Sequence, residues 1–137
     1  MPDSVVPLIG TKSLTPDRER EARELISKTV ALDFDGTIAE YEGWRGDWHV
    51  GDPIPGAKEF VERLVGKGFN VVVYTARTHL SPIRNWLRAW GFPNLAVKRK
   101  MVAAVYVDDR AHRFDKKAPG AYETAYAAVL SATHTAK

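Results

Sequence analysis

Residues 31–40 read ALDFDGTIAE, and the aspartates at their centre, Asp33 and Asp35, close an apolar run that begins at Thr29. TVALDF is apolar and β-branched at its start, which predicts a strand. Ionised carboxylates at the end of a buried strand are costly unless something pairs with them. The stretch therefore predicts a strand end that holds two acids for a cationic partner.

Outward from this strand the elements alternate in type. Upstream, Pro2, Pro7 and Gly10 break any pattern over residues 1–14. Thr15 and Pro16 then read as an N-cap and a first helical position, opening a charged helix to about Ser27. Its apolar stripe of Ala22, Leu25 and Ile26 predicts packing at the edge of the core. Downstream, a loop of about twenty residues leads to residues 56–67, where Ala57, Phe60, Val61, Leu64 and Val65 recur at helical spacing. FNVVVYT is a second strand. Ser81 and Pro82 open a helix with Ile83, Trp86, Leu87 and Trp90 on one face, closed by Gly91. NLAV reads as a short strand and AAVYVDD as a longer one that again ends in two acids. Tyr122, Ala125, Tyr126 and Val129 mark a last helix. The expected fold is α/β, a mainly parallel, Rossmann-like sheet with helices on both faces in three layers, because VVVY and AAVYV fit strands buried on both sides. Residues 1–28 form an N-terminal extension, 29–130 the core, and 131–137 a flexible tail.

The chain's 137 residues suit one domain, and 45% hydrophobic with 27% charged residues is ordinary for a globular protein. The absence of cysteine excludes disulfides, thiolate metal sites and cysteine nucleophiles. No stretch has signal-peptide character or the ~20 apolar residues of a membrane span, so a soluble, unexported, cytoplasmic protein is expected. The net charge of +3 hides an asymmetry: residues 29–57 carry one basic and six acidic residues, and 58–117 carry thirteen basic and five acidic. Solvated helix faces explain many of these charges. A metal cradle facing a phosphate-binding surface is the sharper reading.

In parallel α/β sheets ligands bind outside the carboxyl ends of the strands. Those ends present Asp33 and Asp35, then Thr75 and Arg77, then Lys98 or Lys100, then Asp108 and Asp109. Clustered carboxylates call for a hard divalent cation, and Mg²⁺ is the natural occupant. One carboxylate facing a phosphoryl group can attack phosphorus and form an aspartyl-phosphate. The other, two positions on, can protonate the leaving oxygen and then deprotonate water. Gly36 allows backbone amides to turn toward phosphoryl oxygens. The Thr75 hydroxyl and a lysine ammonium supply further donors.

DFDGT, YTAR, a lysine before the last strand, and VYVDDR resemble, in order, the four motifs of the haloacid dehalogenase-like phosphohydrolase superfamily, over roughly residues 29–130. The resemblance implies that Asp33 is the nucleophile and Asp35 the general acid/base, that Thr75 binds phosphate, and that the lysine steadies it. It implies a Mg²⁺ shell of Asp33, Asp35, Asp108 and Asp109, and its spacing selects Lys100 over Lys98. Residues 38–55 are too short for a folded cap, so a capless enzyme with an open site is expected. YTAR with VDDR further resembles the phosphatase domain of polynucleotide kinase/phosphatases, which implies substrate contacts from Gly36, Thr37, Arg77 and Arg110. The expected function is hydrolysis of a phosphate monoester, with a nucleotide or a polynucleotide 3′-phosphate as the favoured substrate. A small-molecule phosphatase, a phosphotransferase, and a non-catalytic or receiver-like phosphate-binding domain stand as alternatives. Trp44 and Trp48, beside the first motif, either anchor their loop or stack on bases. His49, His79 and His112 lack metal-ligand spacing.

Overall fold

The structure, a computed structural model, describes residues 15–134. The irregular segment expected over residues 1–14 and the end of the expected tail, 135–137, lie outside these residues. The described elements are α1 (Pro16–Ser27), β1 (Thr29–Asp33), α2 (Ala57–Gly66), β2 (Asn70–Thr75), α3 (Ser81–Ala89), β3 (Ala96–Arg99) and α4 (Ala121–His134). Three parallel strands in the order β1-β2-β3, with helices between them, make an α/β fold. Among the described residues no helix is long and apolar enough to cross a membrane.

Helix α1 starts as its cap residues dictate: the Thr15 hydroxyl accepts from the Arg18 amide at 3.1 Å, and Pro16 needs no donor at the first position. Its apolar stripe does not reach the core. No α1 residue is buried, and Leu25 and Ile26 are exposed, because three apolar residues on a charged helix make too narrow a face to hold it down. At the other end α4 continues to His134, four residues into the segment expected to be a flexible tail.

Leu32, Phe34, Val61, Leu64, Val73, Ile83 and Trp86 form the centre of the core. Phe34, one residue past β1, is fully buried and meets Trp86 edge to face at 5.0 Å. Both crossovers advance the same way across the sheet, and right-handed connections then place α2 and α3 on one face. Burial along β2 alternates accordingly: Val71, Val73 and Thr75 are buried, whereas Val72 and Tyr74 are half-buried. The full burial on both sides expected from VVVY is therefore not seen for this strand.

The strand expected over AAVYVDD does not form. Residues 103–109 have no ladder partner among the described residues, and Val105 and Val107 stand 71% and 97% exposed. Local bonds take the place of a ladder. The Tyr106 hydroxyl donates to the Met101 carbonyl, and the Asp108 carboxylate accepts from the Arg110 amide at 2.8 Å. Such short-range side-chain bonds compete with strand pairing.

Candidate functional site

The β1-β2 register sets Asp33 opposite Tyr74, and the β2-β3 register sets Thr75 opposite Arg99. All three strands consequently end together at one edge of the sheet. Just past β3, the Lys100 amide donates to the Thr75 carbonyl at 2.8 Å, which extends the ladder by one bond and fixes the lysine backbone. A cavity of about 530 Å³ opens at this edge, lined by Asp33, Asp35, Tyr41, Trp44, Thr75, Arg77 and Lys100 among others.

Within it, Lys100 Nζ donates to Asp33 Oδ1 at 3.1 Å, and the Phe34 amide donates to the same oxygen at 2.9 Å. Asp33 Oδ2 has no hydrogen-bond partner among the described residues, and the side chain is 38% exposed. One oxygen is held and the other is free. Lys100 Nζ also lies 4.9 Å from the Tyr74 ring and 5.4 Å from the Tyr106 ring, which keeps the ammonium beside the carboxylate. Lys98 lines a different cavity, with Arg84, Arg88 and Phe92.

Asp35 is gripped by Arg77, whose Nε and Nη2 donate to Oδ2 and Oδ1, each at 2.8 Å. This is the fork-to-fork geometry that suits guanidinium and carboxylate. Arg77 Nη1 donates to the Asp47 carbonyl at 3.0 Å, tying the loop to the same group. The hydrogen bonds to Asp35 hold the Arg77 pKa above its ordinary value against the opposing effect of burial, with the charges of Asp35 and Asp47 adding to the rise. Its side chain is only 5% exposed. The expected substrate contact is thus a buried clamp on Asp35, because a guanidinium out of water takes the nearest carboxylate.

Thr75 is buried at the cavity floor, and its hydroxyl oxygen accepts from the Arg77 amide at 3.1 Å. Gly36 and Thr37 do not present free amides. Gly36 adopts φ +83°, a left-handed turn position, and its amide donates to Ala39 O at 2.7 Å. The Thr37 amide donates to Phe34 O at 3.2 Å. The turn consumes the donors that were expected to cradle phosphate. The Tyr122 hydroxyl donates to the Thr37 carbonyl at 2.6 Å, and burial, reinforced by Glu40, pushes that phenol above its ordinary pKa.

Asp108, Asp109 and Arg110 stand on the exposed segment and do not line the cavity. Among the described residues no three His, Cys, Asp or Glu side chains are grouped to hold a metal ion. Asp33 and Asp35 are neutralised instead by Lys100 and Arg77. The expected quartet of Asp33, Asp35, Asp108 and Asp109 is not assembled, because the strand that was to deliver its second half is unpaired. The residues as arranged do not fit Mg²⁺.

Sequence reasoning did not single out Asp47 or Tyr41. Asp47 pairs with His79 and carries the carbonyl that receives Arg77. Both sit in a loop without periodicity, where no pattern marks them. The loop itself is well anchored: Ile38 and Ile54 are buried, the Glu40 amide donates to Asp52 O at 2.8 Å, and Trp86 Nε1 donates to Gly51 O at 2.8 Å.

No family model and no curated protein matches this chain. Its fold is similar to a crystal structure of an MCSG target protein from Vibrio cholerae, with a TM-score of 0.59 and 22% identity over 80% of this chain and 99% of that one. At that identity the likeness concerns the fold alone.

Proposed function

We propose that the protein is a capless phosphatase of the haloacid dehalogenase-like type, hydrolysing a phosphate monoester through an aspartyl-phosphate on Asp33. The observation that carries the reading is the Asp33 carboxylate in an open cavity, with Oδ1 held by Lys100 and the Phe34 amide and Oδ2 free. A nucleophile needs one oriented, unpartnered oxygen and a nearby cation for the phosphoryl charge, and both are present. In the first step Oδ2 bonds to phosphorus, the ester P–O bond breaks, and the leaving oxygen takes a proton from Asp35, which enters this step as the carboxylic acid after taking that proton from solvent. In the second, Asp35 takes a proton from water, water oxygen bonds to phosphorus, and the P–O bond to Asp33 breaks. Arg77 occupies one lone pair on each Asp35 oxygen, and a carboxylate retains others for that proton. Lys100 and the Thr75 hydroxyl line the same cavity and supply the donors to the phosphoryl oxygens in this reading.

A second reading is a phosphate-binding domain without turnover. The lack of a grouped acid cluster among the described residues favours it. Phosphate release separates the two. Against an aryl phosphate, mononucleotides, a 3′-phosphorylated oligonucleotide and a sugar phosphate, the wild type is expected to release phosphate from at least one. Asp33→Asn is expected to release none while keeping a native circular dichroism spectrum. Substantial turnover by Asp33→Asn would remove the nucleophile assignment, and silence of the wild type on the whole panel would leave the binding reading. Assays run with Mg²⁺ and with a chelator read whether Asp108 and Asp109 take part.

A further inference from the structure

Trp44 is 57% exposed, yet it is not loose on the surface. Its ring lies over the Arg77 guanidinium, 5.4 Å from centroid to Cζ. Arg77 is itself immobilised by three hydrogen bonds, two to Asp35 and one to the Asp47 carbonyl. The ring therefore rests against a fixed plane, and its exposure leaves the rest of the indole to solvent. Trp44 lines the same cavity as Asp33, Lys100 and Thr75, and Tyr41, 43% exposed, lines it too. An aromatic held in place beside a phosphoryl site costs little further entropy when a second ring stacks on it. The neighbouring Trp48 is 71% exposed but does not line this cavity.

We infer that Trp44 is a stacking platform that selects phosphate esters whose alcohol part carries a planar ring, a nucleobase being the chemical class that fits. This inference rests on the proposed reading of the site and names its substrate class. With Arg77 committed to Asp35, recognition of the leaving group falls to the aromatic rim and not to the guanidinium. Base stacking on an aromatic is tolerant of base identity, so purine and pyrimidine esters are both accepted, and esters of simple polyols are bound through phosphate alone.

Binding in the Asp33→Asn background, where turnover does not intervene, tests the inference by calorimetry with adenosine 5′-monophosphate and glycerol 3-phosphate as probes. The nucleotide is expected to bind more tightly. Trp44→Ala is expected to lower the ratio of the two affinities by roughly tenfold, the scale of one base–aromatic stack. Trp44→Phe should retain most of the ratio, and Trp48→Ala all of it. Equal loss for both probes in Trp44→Ala would show that the indole only covers the Arg77–Asp35 pair and would overturn the inference, as would equal affinity of the two probes for the parent protein. Failure of the phosphatase reading is separate: a wild type that turns over neither ester while the Trp44-dependent ratio persists loses the catalytic proposal and keeps this one.

Discussion

Lys98 and Lys100 lie one residue apart, yet they have unrelated surroundings. Lys100 is held by the Thr75 carbonyl through its backbone and by Asp33 through its ammonium, whereas Lys98 faces the cavity shared with Arg84 and Arg88. Lys100→Ala is expected to lower kcat/KM by about 100-fold or more, the usual cost of removing one donor to transition-state charge, and Lys98→Ala to leave it near the parental value. The reverse order in steady-state kinetics would move the role to Lys98. Arg77 shows where local sequence stops being informative. YTAR marks it as a residue of the site, but only the fold reveals that Asp35 and the Asp47 carbonyl already occupy its donors. Removing one member of a buried ion pair typically costs about 3–5 kcal/mol, because the partner charge is stranded. Arg77→Met is expected to approach that loss in urea unfolding, and adding Asp35→Asn to recover part of it. The guanidinium's raised pKa means that its side of the pair contributes throughout the pH range in which a free guanidinium is charged and is lost only as pH rises beyond it.

The helices were legible because their signals are local. Thr15-Pro16, Ser81-Pro82 and the apolar spacing of residues 57–64 carry their own start points and faces, and α1, α2 and α3 begin within a residue of where they were expected. β1 and β2 were legible from their β-branched runs, while β3 lies two residues later than NLAV suggests. Residues 103–109 also carry an apolar run with two valines but differ in outcome, since a strand exists only where a neighbour pairs with it, and pairing is not written in a single segment. The contrast is measurable. Leu64→Ala, at a fully buried position of α2, is expected to lose about 2–5 kcal/mol, whereas Val107→Asp should change stability by no more than about 0.5 kcal/mol. A large loss from Val107→Asp would show that the segment pairs in solution. The loop between β1 and α2 was legible only as a loop. Its anchoring depends on Gly51, where an added Cβ would lie 2.3 Å from the Glu40 carbonyl oxygen. Gly51→Ala is therefore expected to cost about 1–3 kcal/mol and to disturb Trp44 with it.

Across the molecule, the acidic stretch before α2 and the basic stretch that begins within it are joined by ion pairs, Asp33 with Lys100 and Asp35 with Arg77 at the end of the sheet, and Glu40 with Lys116. The charge asymmetry was visible in the sequence, but its resolution was not. It pointed to a cation from outside, and the chain supplies cations of its own. This distinction makes opposite demands on two simple ligands. A site that neutralises its acids internally and keeps an ammonium beside a free carboxylate oxygen takes an anion, so orthophosphate should bind the native state and raise Tm with concentration. Saturation to 100 times the dissociation constant corresponds to about 2.7 kcal/mol. Mg²⁺ alone finds no grouped acids among the described residues and should raise Tm no more than a sodium salt of equal ionic strength. In Lys100→Ala the phosphate effect should largely disappear. If Mg²⁺ alone stabilises the wild type, and hydrogen exchange slows over residues 101–110 at the same time, then Asp108 and Asp109 reach the sheet edge when the cation binds. The internal pairing seen here would then be the metal-free arrangement of a four-carboxylate site.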